Sequence, residues 1–184
     1  MRIVAGSAKG TRLAPVPPGT RPVSDRAREG VFSSLGDRVA GARVLDLFAG
    51  TGALGIEALS RGASGATFVE RSRAAAQAIT KNLELTHLQD GASLITTDVA
   101  AYLRTPPPAA FDLVFCDPPY EMGSPELDEI LQGLATSHLA EGFTVVLTRD
   151  KRSSTPVIPL QWVPARSLQY GGSLVTQYRE VRWA

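Results

Sequence analysis

The chain of 184 residues and 19.5 kDa is long enough for one well-buried domain and short for two. Its 43% apolar and 20% charged residues are typical of a globular protein and exclude disordered and fibrous classes. No apolar run reaches the ~20 residues of a membrane span, and the chain start lacks a signal-peptide pattern. We therefore expect a cytoplasmic protein without a membrane partner. The single cysteine, Cys116, excludes an internal disulfide and a cysteine-based metal site.

Basic residues concentrate near the start of the chain. The first 30 residues hold six basic and two acidic side chains, whereas the remainder holds 13 basic and 16 acidic ones. This asymmetry indicates a polyanionic partner at one end, although charge alone fits a solvated surface equally well. Two short strand patterns and a proline-rich segment predict a basic N-terminal arm or hairpin over residues 1–23 and a larger domain over residues 24–184. The candidate phosphate contacts are Arg2, Lys9, Arg12, Arg21 and Arg26.

The rest of the chain alternates between strand and helix patterns. A helix is predicted from the cap residue Ser24 to Leu35, and further helices at about 53–61, 72–86 and 125–137. This alternation predicts a parallel sheet with helices on both faces. Near the end of the chain, Gly171 and Gly172 join two alternating patterns, which predicts a hairpin and an antiparallel edge strand. The earlier strands are predicted at Arg43 to Phe48, Ala66 to Glu70, Ser93 to Thr97, Phe111 to Cys116 and Phe143 to Thr148.

A glycine-rich segment follows the first of these strands. The letters AGTGALG place Gly50, Gly52 and Gly55 between the strand and the next helix. Such glycines allow a tight turn and a close backbone approach to a ligand at the positive end of a helix. The signal is weak by itself, because the spacing also fits a dinucleotide fingerprint or simple packing.

Two acidic residues end the next two predicted strands. Glu70 can accept hydrogen bonds from both ribose hydroxyls of a nucleoside, and Asp98 can accept one from an adenine amino group. Because the carboxyl ends of parallel strands meet at one sheet edge, we expect both beside the glycine loop. Asp98 also suits the N-cap of a helix starting at Val99, so this structural alternative stays open.

The fourth predicted strand ends in the letters DPPY, residues 117 to 120. Prolines fix the backbone and hold the preceding residue extended, so the Asp117 carboxylate and the Pro118 carbonyl should project stiffly into the crevice. Two such acceptors can hold a planar exocyclic amine with its lone pair turned toward an electrophile. Tyr120 can stack on the base. The alternative is that these residues only shape a sharp loop.

In chain order, VLDLFAGTGALGIEALSRGA, FVE, TTDV and FDLVFCDPPY resemble class I S-adenosylmethionine-dependent methyltransferases directed at amines. With RIVAGSAKGTRL and RPVSDRAREGVFSSL upstream and QYGGSLVTQYR downstream, nearly the whole chain resembles the bacterial 16S ribosomal RNA guanine-N2 methyltransferase family. The resemblance implies a Rossmann-like α/β fold with a seven-stranded, mostly parallel sheet. It also implies methylation of one guanine N2 in 16S rRNA.

The resemblance further assigns roles to residues. It implies Asp117, Pro118 and Tyr120 as catalytic residues and the basic arm as the RNA contact. The substrate would be 16S rRNA or the assembling small ribosomal subunit, bound by a monomer without a metal. Thr148 and Arg149 stand where a glutamate is expected from the family pattern. The residues implied for S-adenosylmethionine are Asp46, Ala49, Gly50, Gly52, Glu70, Asp98, Val99 and Asp117.

Other functions compete with this one. The DPPY chemistry also allows a DNA adenine or cytosine amino methyltransferase, although 184 residues leave no room for a DNA-recognition domain. A non-catalytic RNA-binding assembly factor could retain the nucleoside pocket, and a dinucleotide-dependent oxidoreductase would need a substrate domain. His87 and His138 match no motif, and we expect both on the surface.

Overall fold

The structure is a computed structural model that describes residues 1–15 and 24–181. Its α-helices are α1 (Asp25–Leu35), α2 (Ala53–Ser60), α3 (Arg73–Thr86), α4 (Val99–Tyr102) and α5 (Ser124–Ser137). Its strands are β1 (Arg43–Leu47), β2 (Gly65–Val69), β3 (Ala92–Ile95), β4 (Phe111–Cys116), β5 (Leu139–Asp150), β6 (Trp162–Tyr170) and β7 (Ser173–Glu180). The predicted strands and helices are therefore present, with ends shifted by a few residues except at β5, which extends further.

The strands form one sheet in the order β3-β2-β1-β4-β5-β7-β6. The pairs from β3 to β5 are parallel, whereas β5 pairs with β7 and β7 with β6 in antiparallel fashion. The predicted hairpin turns at Gly171 and Gly172, and its first strand, β6, lies at the sheet edge. The predicted α/β fold with a mostly parallel seven-stranded sheet is confirmed.

Both faces of the sheet are covered because the central strands are apolar on both sides. Val44 packs into a core shared with α1, α2 and α3, and its neighbour Leu45 packs into a second core shared with α4 and α5. Successive strand residues point to opposite faces, so a strand buried on both sides must be continuously apolar. The helices leave the carboxyl ends of β1 to β4 together at one edge, where the sequence places its glycine loop and acids.

Residues 1–15, here called the N-terminal hairpin, pack against this core. Arg2 and Arg12 form an antiparallel bridge, and the side chains of Ile3 and Leu13 are buried in the first core. The buried Glu57 of α2 accepts hydrogen bonds from the backbone N–H groups of Val4 and Ala5. The domain boundary expected at residue 23 lies outside the described residues and stays a prediction.

The two histidines differ from each other. His87 is exposed at the end of α3, as expected. The expectation for His138 was wrong, because its side chain is fully buried at the end of α5 beside Tyr102. Desolvation lowers the pKa of His138, so burial favours the neutral ring. Among helices in the described ranges, none is long and apolar enough to cross a bilayer.

Candidate active site

The glycine loop, residues 48–52, connects β1 to α2 through a tight turn. Phe48, Gly50 and Gly52 all have positive φ angles, of 59°, 57° and 74°. The Gly52 N–H donates to the Ala49 carbonyl at 2.7 Å and closes the turn. Glycine is needed at position 52 for its backbone conformation, and an added Cβ would also lie only 3.3 Å from Ile56. The turn places the loop backbone and the start of α2 along the crevice.

Asp46 supports this turn from below. Its side chain is 1% exposed, and its Oδ2 accepts a hydrogen bond from the Gly55 N–H at 2.9 Å. Desolvation raises the pKa of Asp46 well above its ordinary value, and the nearby charges of Asp117 and Glu70 act in the same direction. Asp46 therefore fixes the first turn of α2 at the crevice floor.

Glu70 follows β2 and joins two backbone segments. Its Oε2 accepts a hydrogen bond from Gly50 N–H at 2.9 Å, and its Oε1 accepts one from Ser72 N–H at 2.8 Å. These bonds fix the carboxylate beside the glycine loop. Because each oxygen has a further lone pair, Glu70 can still accept hydrogen bonds from two ribose hydroxyls.

Asp98 caps a helix and also lines the crevice. Its Oδ1 accepts a hydrogen bond from Ala100 N–H at 2.9 Å, so it caps α4 as the structural alternative proposed. It also lines the same crevice as Glu70, together with the buried Val99. Its Oδ2 lies 3.9 Å from Arg71 Nη1. The cap leaves the other carboxylate oxygen available to an amino group.

Asp117, Pro118 and Tyr120 lie where β4 ends, on the other side of the glycine loop. Asp117 is half-buried, and desolvation raises its pKa to about 7. Pro118 is buried, whereas 37% of Tyr120 is exposed. The Tyr120 hydroxyl lies 3.1 Å from Ser173 Oγ, which links this loop to the start of β7.

One crevice of about 480 Å³ brings these residues together. Of the predicted catalytic and cofactor residues, Gly52 is the one that does not line it, since it forms the turn beneath. The crevice also includes residues that sequence reasoning missed, because no local pattern marks their positions. Examples are Met1, Ala27, Tyr170, Ser173 and Val175, while Ser24 was predicted only as the cap of α1 and Thr148 only as a departure.

The predicted phosphate contacts lie on the surface or outside the described residues. Lys9, Arg12 and Arg26 are exposed. The Arg2 side chain is 72% exposed and lies 4.0 Å from Asp25, while its neighbour Met1 lines the crevice. Arg21 falls outside the described residues.

Nearly the whole chain is similar to proteins of one family. The family model described as Conserved hypothetical protein 95 matches residues 1–179. The chain belongs to this family. Ribosomal RNA small subunit methyltransferase D of Escherichia coli K12 is 37% identical over 165 residues, which cover 88% of this chain and 81% of the relative.

Solved structures with a similar fold include members of this kind of protein. The structure of yhhF from Escherichia coli has a TM-score of 0.87 and 33% identity, covering 100% of this chain and 99% of that one. SMU.776, solved in complex with SAH, shares the fold at 18% identity and a TM-score of 0.69, covering 84% and 48% of the two chains. The fold is that of S-adenosylmethionine-dependent methyltransferases, and S-adenosylmethionine is the cofactor.

The crevice residues of this family member fit that cofactor. Glu70 and Asp98 both line the crevice, and their carboxylate oxygens have the acceptor chemistry that ribose hydroxyls and an adenine amino group require. The glycine loop brings backbone to the crevice wall, and a side chain at Gly52 would press on Ile56 and Ile79 beneath this turn. Within residues 1–15 and 24–181, no group of three or more His, Cys, Asp or Glu side chains could hold a metal ion.

Proposed function

We propose that the protein transfers a methyl group from S-adenosylmethionine to the exocyclic N2 of a specific guanine in 16S rRNA. The observation that carries this proposal is the position of Asp117 and Pro118 in the same crevice as Glu70 and Asp98. Relatives from Escherichia coli and Haemophilus influenzae are named ribosomal RNA small subunit methyltransferase D, and these names support the choice of RNA.

The target amine would be held by acceptors at the end of β4. The cofactor supplies an electrophilic methyl group on a sulfonium sulfur. The Asp117 carboxylate and the Pro118 carbonyl would each accept one hydrogen of the amine, which turns the nitrogen lone pair toward that methyl group. After the transfer the nitrogen is cationic and acidic, so Asp117 or water takes its proton.

The chemistry of the base edge favours guanine over adenine and cytosine. Next to guanine N2 is the N1–H donor, whereas the ring nitrogens next to adenine N6 and cytosine N4 on the pairing edge are acceptors. An ionised Asp117 has two acceptor oxygens, so it can receive both N1–H and N2–H. With adenine or cytosine in the site, one oxygen of the ionised Asp117 would be repelled by the lone pair of the ring nitrogen. A protonated Asp117 would instead donate a hydrogen bond to that nitrogen.

The pH dependence of turnover tests this preference. Because the pKa of Asp117 is about 7 without cofactor, guanine methylation should rise with pH up to about 7 as the carboxylate forms. The sulfonium charge of the bound cofactor favours the carboxylate and should place the midpoint at or below that value. A rate that falls over the same range would indicate a protonated Asp117 and an adenine or cytosine target.

The basic N-terminal hairpin and the first turn of α1 are proposed to hold the RNA. The exposed side chains of Arg2, Lys9, Arg12 and Arg26 would contact phosphates, with Arg21 as a fifth candidate outside the described residues. Such contacts position the nucleic acid and contribute little base specificity. Because Met1 of the hairpin lines the crevice, RNA bound to this surface would lie next to the crevice that receives the target amine.

A direct assay distinguishes the candidate functions. Small ribosomal subunits lacking the modification are incubated with labelled S-adenosylmethionine, and the nucleosides are then separated. Label in N2-methylguanosine is expected, while label in N6-methyladenosine or N4-methylcytosine would contradict the proposed target. Absence of label with free 16S rRNA and with subunits, despite normal cofactor binding, would favour a non-catalytic assembly factor.

A further inference from the structure

The N-terminal hairpin is connected to the glycine loop through one buried side chain. Asn82 of α3 is 0% exposed and lies between the two segments. Its Oδ1 accepts a hydrogen bond from the Ala14 N–H at 2.7 Å, and its Nδ2 donates one to the Thr51 carbonyl at 2.9 Å. A single amide group thus joins residue 14 to residue 51.

The Thr51 end of this connection belongs to the cofactor site. Thr51 is 5% exposed and lies between Gly50 and Gly52, the two left-handed glycines of the turn. Its carbonyl would lack this hydrogen bond without the Asn82 amide. Because Thr51 directly follows Gly50, the bond restrains the segment that presents the Gly50 N–H, which Glu70 holds from the opposite side.

We propose that Asn82 is a positioning residue that makes the N-terminal hairpin a supporting part of the cofactor site. Asn82 is not among the residues lining the crevice, so it acts through the glycine loop. The inference concerns cofactor binding alone. It can therefore fail or succeed independently of the RNA target and of the base that is methylated.

The hairpin has a second attachment that makes the proposal testable. Val4 N–H donates to Glu57 Oε2 at 2.8 Å, and Ala5 N–H donates to Glu57 Oε1 at 3.0 Å. These bonds do not involve Asn82. Loss of the Asn82 amide should therefore loosen the glycine loop while the start of the hairpin stays docked on α2.

The main test uses Asn82→Leu, which keeps the branched heavy-atom skeleton and removes both hydrogen bonds. We expect its Kd for SAH, measured by calorimetry, to rise about tenfold, because the glycine loop loses a buried hydrogen bond. The matched control is Thr86→Val. Thr86 is also buried in α3, and its hydroxyl donates within the helix to the Asn82 carbonyl at 2.8 Å. This control should lose thermal stability and keep its SAH affinity within twofold.

A hairpin substitution tests the connection from its other end. Ala14→Pro removes the N–H that reaches Asn82 and leaves α3 unchanged. We expect the Kd for SAH to rise about threefold, because the amide then loses one of its two anchors. This variant also tests the proposal if Asn82→Leu fails to fold. An SAH affinity within twofold of the unmodified protein in every folded variant of the pair would overturn the proposal.

Reciprocity provides a readout that a purely structural role would not change. If hairpin docking and cofactor binding are coupled, saturating SAH should slow amide hydrogen exchange at Ala14. In Asn82→Leu this slowing should disappear, whereas it should persist in Thr86→Val. Equal exchange with and without SAH in the unmodified protein would contradict the coupling.

Discussion

At the cofactor end of the crevice the carboxylates already accept backbone hydrogen bonds. Glu70 holds Gly50 and Ser72, and Asp98 caps α4. At the target end, by contrast, the Asp117 carboxylate receives no hydrogen bond from residues 1–15 and 24–181, and desolvation raises its pKa to about 7. The first arrangement fixes acceptors before a ligand binds, whereas the second leaves acceptor capacity for a substrate amine.

The two ends also differ in how the chain builds them. The cofactor end comes mainly from consecutive strand ends between Asp46 and Val99. The target end combines Asp117 and Tyr120 with Tyr170 and Ser173 of the C-terminal hairpin, and Met1 of the N-terminal hairpin also lines the crevice. Cofactor affinity and turnover should therefore respond to different substitutions.

The largest effect is expected for turnover at the target end. Asp117→Ala should lower kcat by a factor on the order of 100 or more, because the amine loses a positioned acceptor. Binding of SAH should remain within about twofold of normal. Asp112→Ala, at the other end of β4, is the control and should retain activity. Near-normal turnover of Asp117→Ala would indicate that the DPPY segment only shapes a loop.

At the cofactor end, Glu70→Ala should weaken SAH binding by roughly 1 to 3 kcal/mol while the fold survives. The substitution removes the acceptor for the ribose and also leaves the Gly50 and Ser72 N–H groups without this partner. Calorimetry measures the affinity, and Glu84→Ala on the exposed face of α3 is the control. Unchanged SAH affinity in a folded Glu70→Ala variant would show that Glu70 does not contribute to cofactor binding.

The RNA surface should give a smaller effect that depends on salt. Arg12→Gln should weaken RNA binding and flatten the slope of log affinity against log salt by about 0.7 for one lost phosphate contact on single-stranded RNA. SAH affinity should not change. Lys81→Gln on the exposed side of α3 provides the control. If both variants keep the full salt slope, the hairpin charges do not contact RNA.

The smallest effect is expected for thermal stability. The pKa of Asp117 is raised from 3.8 to about 7 in the folded protein, so its stabilising contribution at low pH is lost as the pH rises through that range. Asp117→Asn resembles the protonated form. The Tm of this variant relative to the unmodified protein should therefore increase by a few degrees between pH 4 and pH 8. A Tm difference independent of pH would contradict the raised pKa.

Much of the fold could be predicted because its signals are local. The letters AGTGALG place glycines where Gly50 and Gly52 adopt positive φ, and the apolar runs match the buried strands. Parallel strands bring their carboxyl ends to one edge, so Glu70, Asp98 and Asp117 could be assigned to one crevice from the sequence alone. The end of β5 was less predictable, since pairing with β7 extends it to Asp150.

The sequence by itself determined the order of strands and helices, the glycine turn and the acids at the strand ends, because periodicity and turn chemistry act over a few residues. Tertiary structure decided what depends on distant neighbours. It placed Tyr170 beside the target end, buried His138, and inserted Asn82 between the hairpin and the glycine loop. It also raised the pKa of Asp117, since desolvation depends on the surrounding atoms and not on the local sequence.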